Sequence, residues 1–152
     1  MTDLFMGIDP GLSGAWALID GDGRYVSAGD MHNEDGRILT RHVWAEMVTA
    51  VNFNNVNVAI ERVHSMPKQG LATTFVFGAA YGCALALGNM FDEPAVLITP
   101  NQWKKFYGLD SDKNKSSALA RDMWPTAPIK LKKHNGRAEA LLIANYLRLR
   151  LK

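Results

Sequence analysis

The ten residues MGIDPGLSGA (6–15) decide how the rest of the chain is read. The run LFMGI (4–8) is short and continuously apolar, which predicts a buried strand, and Pro10 with Gly11 ends it. A second apolar run at 16–19 returns beside the first as a hairpin. Asp9 then stands at the rim of a sheet and is followed at once by glycines and small residues, an arrangement that can hold a metal ion against phosphate. Asp-Pro-Gly is also a common turn, in which Asp9 would be a turn former and nothing more. What the chain sets beside Asp9 separates the two readings.

Working outward, GDG (21–23) makes the tight turn into a third strand at 25–31, so the first three strands form an antiparallel meander. Asp35 is expected to cap a helix through Val43, Trp44, Met47, Val48 and Val51, whose spacing follows the helical period. A strand at 56–60 ends in Glu61. Residues 69–91 read as a long apolar helix containing Gly78, Ala79, Ala80, Gly82 and Ala84, followed by a strand at 95–99 that Pro100 closes. Helices at 102–107 and 111–124 lead into a basic loop, and a last helix runs from about 136 to 151. The order β-β-β-α-β-α-β-α-α-α predicts an α/β fold, a five-stranded mixed sheet with helices on both faces. Strands four and five, each reached through a helix, are expected to run parallel to the first by right-handed crossovers. Asp9 and Glu61, each the first polar residue after an apolar strand, become neighbours.

With 152 residues, 47% of them hydrophobic, the chain has the size of one domain with one core, 1–152. No basic leader runs into an apolar signal core, and no uninterrupted apolar segment of roughly 18 residues is evident, so a soluble, cytoplasmic protein without membrane association is expected. The single cysteine, Cys83, excludes an internal disulfide and, among alanines and leucines, reads as a small buried residue. A net charge of +2 conceals an asymmetry: residues 1–99 hold five Lys/Arg against eleven Asp/Glu, and residues 100–152 hold twelve against four. A basic half on an acidic body suggests a polyanion met by one face, the alternative being a solvated surface without a partner.

Two carboxylates side by side repel each other, and oxygen ligands at a strand rim suit Mg²⁺ or Mn²⁺. The last helix can add to them: His134 and Asn135 stand at its start, and Glu139 lies one turn on, on the face of Asn135. The competing readings are a first-turn glutamate favoured by the helix dipole and an Asn N-cap.

The runs GIDPGLSGA with Asp9, AIERVHS with Glu61, ITPNQWKK (98–105), DKNKSSALA (112–120) and KKHNGRAEALLIANY (132–146) resemble RuvC-type Holliday junction resolvases of a phage-like or organellar-like branch. The resemblance spans nearly the whole chain and implies the RNase H-like fold. It further implies a crossover junction endodeoxyribonuclease that nicks four-way DNA junctions in pairs, using two Mg²⁺ or Mn²⁺ ions held by Asp9, Glu61, His134 and Glu139. Asn135 departs from the pattern, because the residue after the His is often Asp; an amide keeps the shape of a carboxylate without its charge or basicity. The resemblance also implies phosphate contacts from Lys104, Lys105, Lys113, Lys115, Arg121, Lys130, Lys132, Lys133 and Arg137, and contacts near the junction centre from Lys68 and Gln69. Phe75 and Phe77 are weaker candidates there, since helix aromatics are usually core, and His64 reads as a loop histidine. A homodimer, with helix 69–91 at its interface, would match the near two-fold symmetry of a junction.

Three other readings are weighed. A non-catalytic binder of branched DNA would keep the basic face with a metal site impaired at Asn135. Another RNase H-fold nuclease would act on RNA–DNA hybrids or flaps. An actin-like kinase shares the GIDPGLSGA run but needs about twice this length and leaves the basic half unexplained.

Overall fold

The structure is a computed structural model that describes residues 3–151. Its main sheet has five strands, β1 (Leu4–Asp9), β2 (Ala15–Asp20), β3 (Tyr25–Asp30), β6 (Val56–Glu61) and β7 (Val96–Ile98), in the order β3-β2-β1-β6-β7. β1, β2 and β3 are antiparallel, and β6 and β7 run parallel to β1 as the crossover argument requires. The helices are α1 (Thr40–Val51), α2 (Leu71–Gly88), α3 (Pro100–Phe106), α4 (Lys113–Met123) and α5 (Asn135–Leu151), the last preceded by one 3₁₀ turn at Lys132–His134.

Side-chain alternation divides the sheet into two cores. Leu4, Met6, Ile8, Val56, Val58 and Ile60 face α1 and α2, packing with Val43, Met47, Ala84 and Leu87. Phe5 and Ala59 face the other way, with Trp103 of α3, Ala120 of α4 and Leu141 to Leu147 of α5. Asp9 and Glu61 continue this second row, and the parallel register Ile8↔Ile60 sets them side by side. α5 is buried along residues 138–147, and it lies directly on β1 because Gly7 has no side chain. A Cβ on Gly7 would fall 2.0 Å from the Ala140 carbonyl oxygen.

Local sequence accounts for most boundaries. In ITPNQW, Thr99 Oγ1 accepts from the Gln102 N–H (3.2 Å) while Gln102 Oε1 accepts from the Thr99 N–H (2.8 Å), a reciprocal cap with Pro100 at the first helical position. Asp112 caps α4 by accepting from the Asn114 N–H. Asp35, by contrast, caps nothing. It and Gly36 take positive φ (49° and 72°) at the tip of a small hairpin, β4 (Asn33–Glu34) with β5 (Arg37–Ile38), where Asp-Gly is the favoured pair. α1 accordingly begins at Thr40, without a side-chain cap.

α2 corrects a second expectation. Its 18 residues carry no charge and, with a mean hydropathy of 1.6, are long and apolar enough to cross a membrane by length and composition. Only Ala80, Ala84, Leu87 and Gly88 are buried; Leu71 and Phe75 are 91% and 80% exposed. Phe75 is therefore a surface residue, not a core one, and Cys83 is part-buried.

Candidate active site

Three carboxylates from three elements converge at the C-terminal rim of β1 and β6. Asp9 ends β1, Glu61 ends β6, and Glu139 comes from the second turn of α5. Gly136, in the first turn, permits the approach: a Cβ there would meet the Ser13 carbonyl oxygen at 2.8 Å, so the helix start rests on the loop that follows Asp9. Glu61 and Glu139 are 8% and 3% exposed, and Asp9 is part-buried. Glu61 Oε2 accepts from the indole Nε1 of the fully buried Trp103 at 2.7 Å, which fixes its orientation. Glu139 Oε1 is buried and has no hydrogen-bond partner.

All three carboxyls are held above the ordinary carboxylate range. For Asp9 the shift is large; burial is its main cause, and the charges of Glu139 and Glu61 add to it. Burial also dominates at Glu61, opposed by the Trp103 hydrogen bond, and at Glu139. Lys104 and Lys113 act on all three and only partly relieve them. A buried, mutually repelling, all-oxygen set with an unpaired lone pair fits a hard divalent cation, and Asp9, Glu61 and Glu139 are the residues that could hold it.

These shifts carry a sign. In the metal-free protein the folded state keeps protons that the unfolded chain releases at about pH 4, so the stability they contribute is present below that pH and lost as pH rises through the raised values. Metal-free protein is expected to melt at progressively lower temperature as the pH rises above the ordinary carboxylate range, and millimolar Mg²⁺ to reverse the trend. Melting curves that are flat with pH and indifferent to Mg²⁺ would contradict the burial of this trio.

The other sequence candidates are distributed around this centre. His134 is part-buried at the start of α5, its Nδ1 3.4 Å from the Leu131 N–H. Burial first, then the charges of Arg137 and Lys133, lower its pKa, which leaves a neutral imidazole at neutral pH. The charges that dominate there are those of Arg137, Lys133, Asp30 and Arg121, not the three carboxylates. Asn135 Oδ1 accepts from Ser117 Oγ at 2.7 Å, tying α5 to α4. Arg137 differs from its expected role as a free phosphate contact: its guanidinium grips Asp30 in two hydrogen bonds (2.7 and 2.8 Å) and donates to the Pro128 carbonyl, so it locks α5 to β3. Arg121 is held by the Ile129 carbonyl, and Lys115 pairs with Asp110.

Lys105, Lys130, Lys132 and Lys133 are exposed, and Lys113 lines a cleft of about 550 Å³ with Asp9, the 10–14 loop, Ala72, Thr73, Val76 and Phe77. Lys68 has φ +68° in the loop before α2, where Gln69 Oε1 accepts from the Met66 N–H, and His64 is exposed in the same loop. Trp103 is the site residue that sequence reasoning missed. It lies inside a quoted motif, but nothing local marks its indole as the partner of a carboxylate 42 positions away.

The fold and this rim define an α/β protein of the RNase H-like fold with an acidic centre on the α5 face. No protein-family model and no curated protein matches the sequence. Solved structures do match. RuvC of T. thermophilus in complex with Holliday junction substrate superposes with a TM-score of 0.67 at 20% identity, over 97% of this chain and 96% of that one. A second Thermus thermophilus RuvC structure gives 0.66 at 19% identity, over 99% and 96%. The chain thus has the fold of RuvC over nearly its whole length.

Proposed function

We propose that the protein is a structure-selective endonuclease that resolves four-way DNA junctions by paired symmetric nicks. The observation that carries this reading is the trio Asp9, Glu61 and Glu139, uncompensated except by Lys104 and Lys113, on the fold of RuvC. Asp9, Glu61 and Glu139 would hold two Mg²⁺ or Mn²⁺ ions; His134, expected beside them, stands among the charges of Arg137, Lys133 and Asp30 and is not counted with them. Ions bound there would supply an activated water and a counter-charge for the leaving 3′ oxygen. The chain's own residues do the rest. Trp103 keeps Glu61 aimed at the rim, and Lys104 and Lys113 meet the phosphate beside it. Lys105, Lys130, Lys132 and Lys133 extend that positive surface without reading sequence.

The exposed face of α2 supports a homodimer. Leu71, Phe75, Gly78, Ala79, Gly82 and Ala86 recur at helical spacing, and all are exposed. Nothing lies within 4 Å of a Cβ built on Gly78 or Gly82, so the fold of one chain does not require these two helix-weakening glycines. Close approach of a second helix would.

The test is cleavage of end-labelled four-way junction, duplex, flap and RNA–DNA hybrid with Mg²⁺, Mn²⁺ or chelator, with sedimentation of the free and bound protein. Metal-dependent paired nicks on the junction by a dimer are expected, with junction affinity falling about a thousandfold between roughly 50 and 200 mM salt. Because Asn135 is engaged with Ser117 as a link between helices, Asn135→Asp is expected to change the rate by less than about tenfold. Cleavage only by Asn135→Asp would make position 135 the disabled corner of the site. Binding without cleavage by either protein would favour the non-catalytic binder, and nicks on hybrids or flaps alone the other nuclease.

A further inference from the structure

A second constellation of ligand-type side chains lies where the exit of β3 meets α1. His42 and Glu46 stand one turn apart on α1, and His32 approaches from the segment between β3 and β4. His32 Nε2 is 3.2 Å from each oxygen of the Glu46 carboxylate, and His42 Nε2 is 3.3 Å from Oε1. The two rings meet edge to face with centroids 4.6 Å apart, so both imidazoles direct the same nitrogen at one carboxylate. Among the described residues these are the only three His, Cys, Asp or Glu ligand atoms that all lie within 4.8 Å of one another.

The distances suit ligands gathered round one ion as well as they suit hydrogen bonds. Charge-assisted hydrogen bonds close to about 2.7–2.9 Å, shorter than these contacts. Ligands bound tetrahedrally to Zn²⁺ at about 2.0–2.1 Å stand about 3.3 Å apart, which is the separation of each imidazole nitrogen from Glu46 Oε1. Trp16 supplies an independent observation. It is 2% exposed, and its indole Nε1 is buried without a hydrogen-bond partner. That nitrogen and Glu46 Oε2 converge over the bare Cα of Gly29, where a Cβ would lie 2.6 Å from the first and 2.8 Å from the second. Ligation through Oε1 would draw His32 away from Oε2, now 3.2 Å from its Nε2, and leave that oxygen to the unpartnered indole N–H, the kind of outer partner that metal ligands usually have.

We propose that His32, His42 and Glu46 bind a divalent transition metal, Zn²⁺ by the chemistry of two imidazoles and one carboxylate, at a site separate from the acidic rim. That donor set suits Zn²⁺ and disfavours Mg²⁺, which prefers oxygen ligands. The side chains are 37%, 57% and 36% exposed, so an ion reaches them from solvent. The consequence is structural. The neighbours of His32 hold the loop that follows Asp9: the Met31 N–H donates to the Gly14 carbonyl, and Asn33 Nδ2 donates to the Leu12 carbonyl, both at 2.9 Å. A metal joining His32 to α1 braces that segment against the helix.

The test titrates metal-stripped full-length protein with Zn²⁺, and separately with Co²⁺, in excess Mg²⁺, following heat, melting temperature, tryptophan emission and Co²⁺ visible absorption. One Zn²⁺ per chain is expected, raising the melting temperature, together with Co²⁺ bands of tetrahedral intensity and Co²⁺ quenching of tryptophan emission. His42→Ala and Glu46→Gln are each expected to weaken this equivalent by more than about a hundredfold, while Asp9→Asn retains it. His42 is the most exposed of the three, so its replacement leaves folding intact. Absence of a stoichiometric Zn²⁺ in the wild type overturns the proposal, as does an equivalent lost in Asp9→Asn but kept in His42→Ala. Neither result depends on nuclease activity.

Discussion

Asp9→Asn is expected to lower junction cleavage by about a thousandfold or more while leaving junction affinity within a few-fold of the parent. A divalent ion supplies several kcal/mol of charge stabilisation in phosphodiester hydrolysis, and each 1.4 kcal/mol is about a factor of ten in rate. The amide preserves the size of the side chain at the end of β1 and removes the charge that the proposed ions share. Binding relies on lysines elsewhere on the surface, so it survives. The same substitution has a second consequence that separates it from simple damage. Asp9 is held well above the ordinary carboxylate range by burial and by Glu139 and Glu61, so a neutral residue there relieves repulsion in the metal-free protein. Asp9→Asn is therefore expected to melt at a higher temperature than the parent at pH 8, with a weaker pH dependence. Cleavage at the parental rate would remove Asp9 from the chemistry. A lower melting temperature at pH 8 would contradict the repulsion that defines the site.

Gly7→Ala carries the largest expected effect on stability. The added Cβ would lie 2.0 Å from the Ala140 carbonyl oxygen and 2.6 Å from the Ala144 nitrogen, both main-chain atoms of the buried α5. No side chain can rotate away, so the helix must lift off β1. Core overpacking costs about 1–3 kcal/mol where side chains can yield, so a cost of about 3 kcal/mol or more is expected, lowering the melting temperature by about 10 °C. Glu139 adjoins Ala140, so the displacement also pulls the third carboxylate from Asp9 and Glu61. Thermal or urea melting of Gly7→Ala checks the first effect. The pH dependence of its stability, expected to weaken as the trio separates, checks the second. A variant that melts within about 2 °C of the parent would mean that α5 does not rest on Gly7.

Several parts of the fold were legible in the residues because their causes are local. Apolar runs mark the strands, GDG turns β2 into β3, and Pro100 closes the strand before α3. The adjacency of Asp9 and Glu61 also followed, since helix-linked strands run parallel and a parallel pair brings its C-terminal ends to one rim. Asp35-Gly36 shows where local reading failed. The same Asp that can cap a helix also favours a two-residue hairpin, and the brief β4 and β5 around it carry too little periodicity to decide between the two.

What the sequence by itself determined, then, is the order of the five main strands and the five helices, the pairing of Asp9 with Glu61 and the presence of ionisable residues near the start of α5. The tertiary structure decided which of these meet. Gly7 and Gly136 let α5 settle on β1 and its loop so that Glu139 reaches the rim, Trp103 comes 42 residues along the chain to hold Glu61, and Arg137 is committed to Asp30. It also joined His32 to His42 and Glu46 and left Phe75 on the surface. The physical reason is the same in each case. A side chain's conformational preference and period act over a few residues, whereas its charge and hydrogen bonds act on whatever the fold brings within a few ångströms.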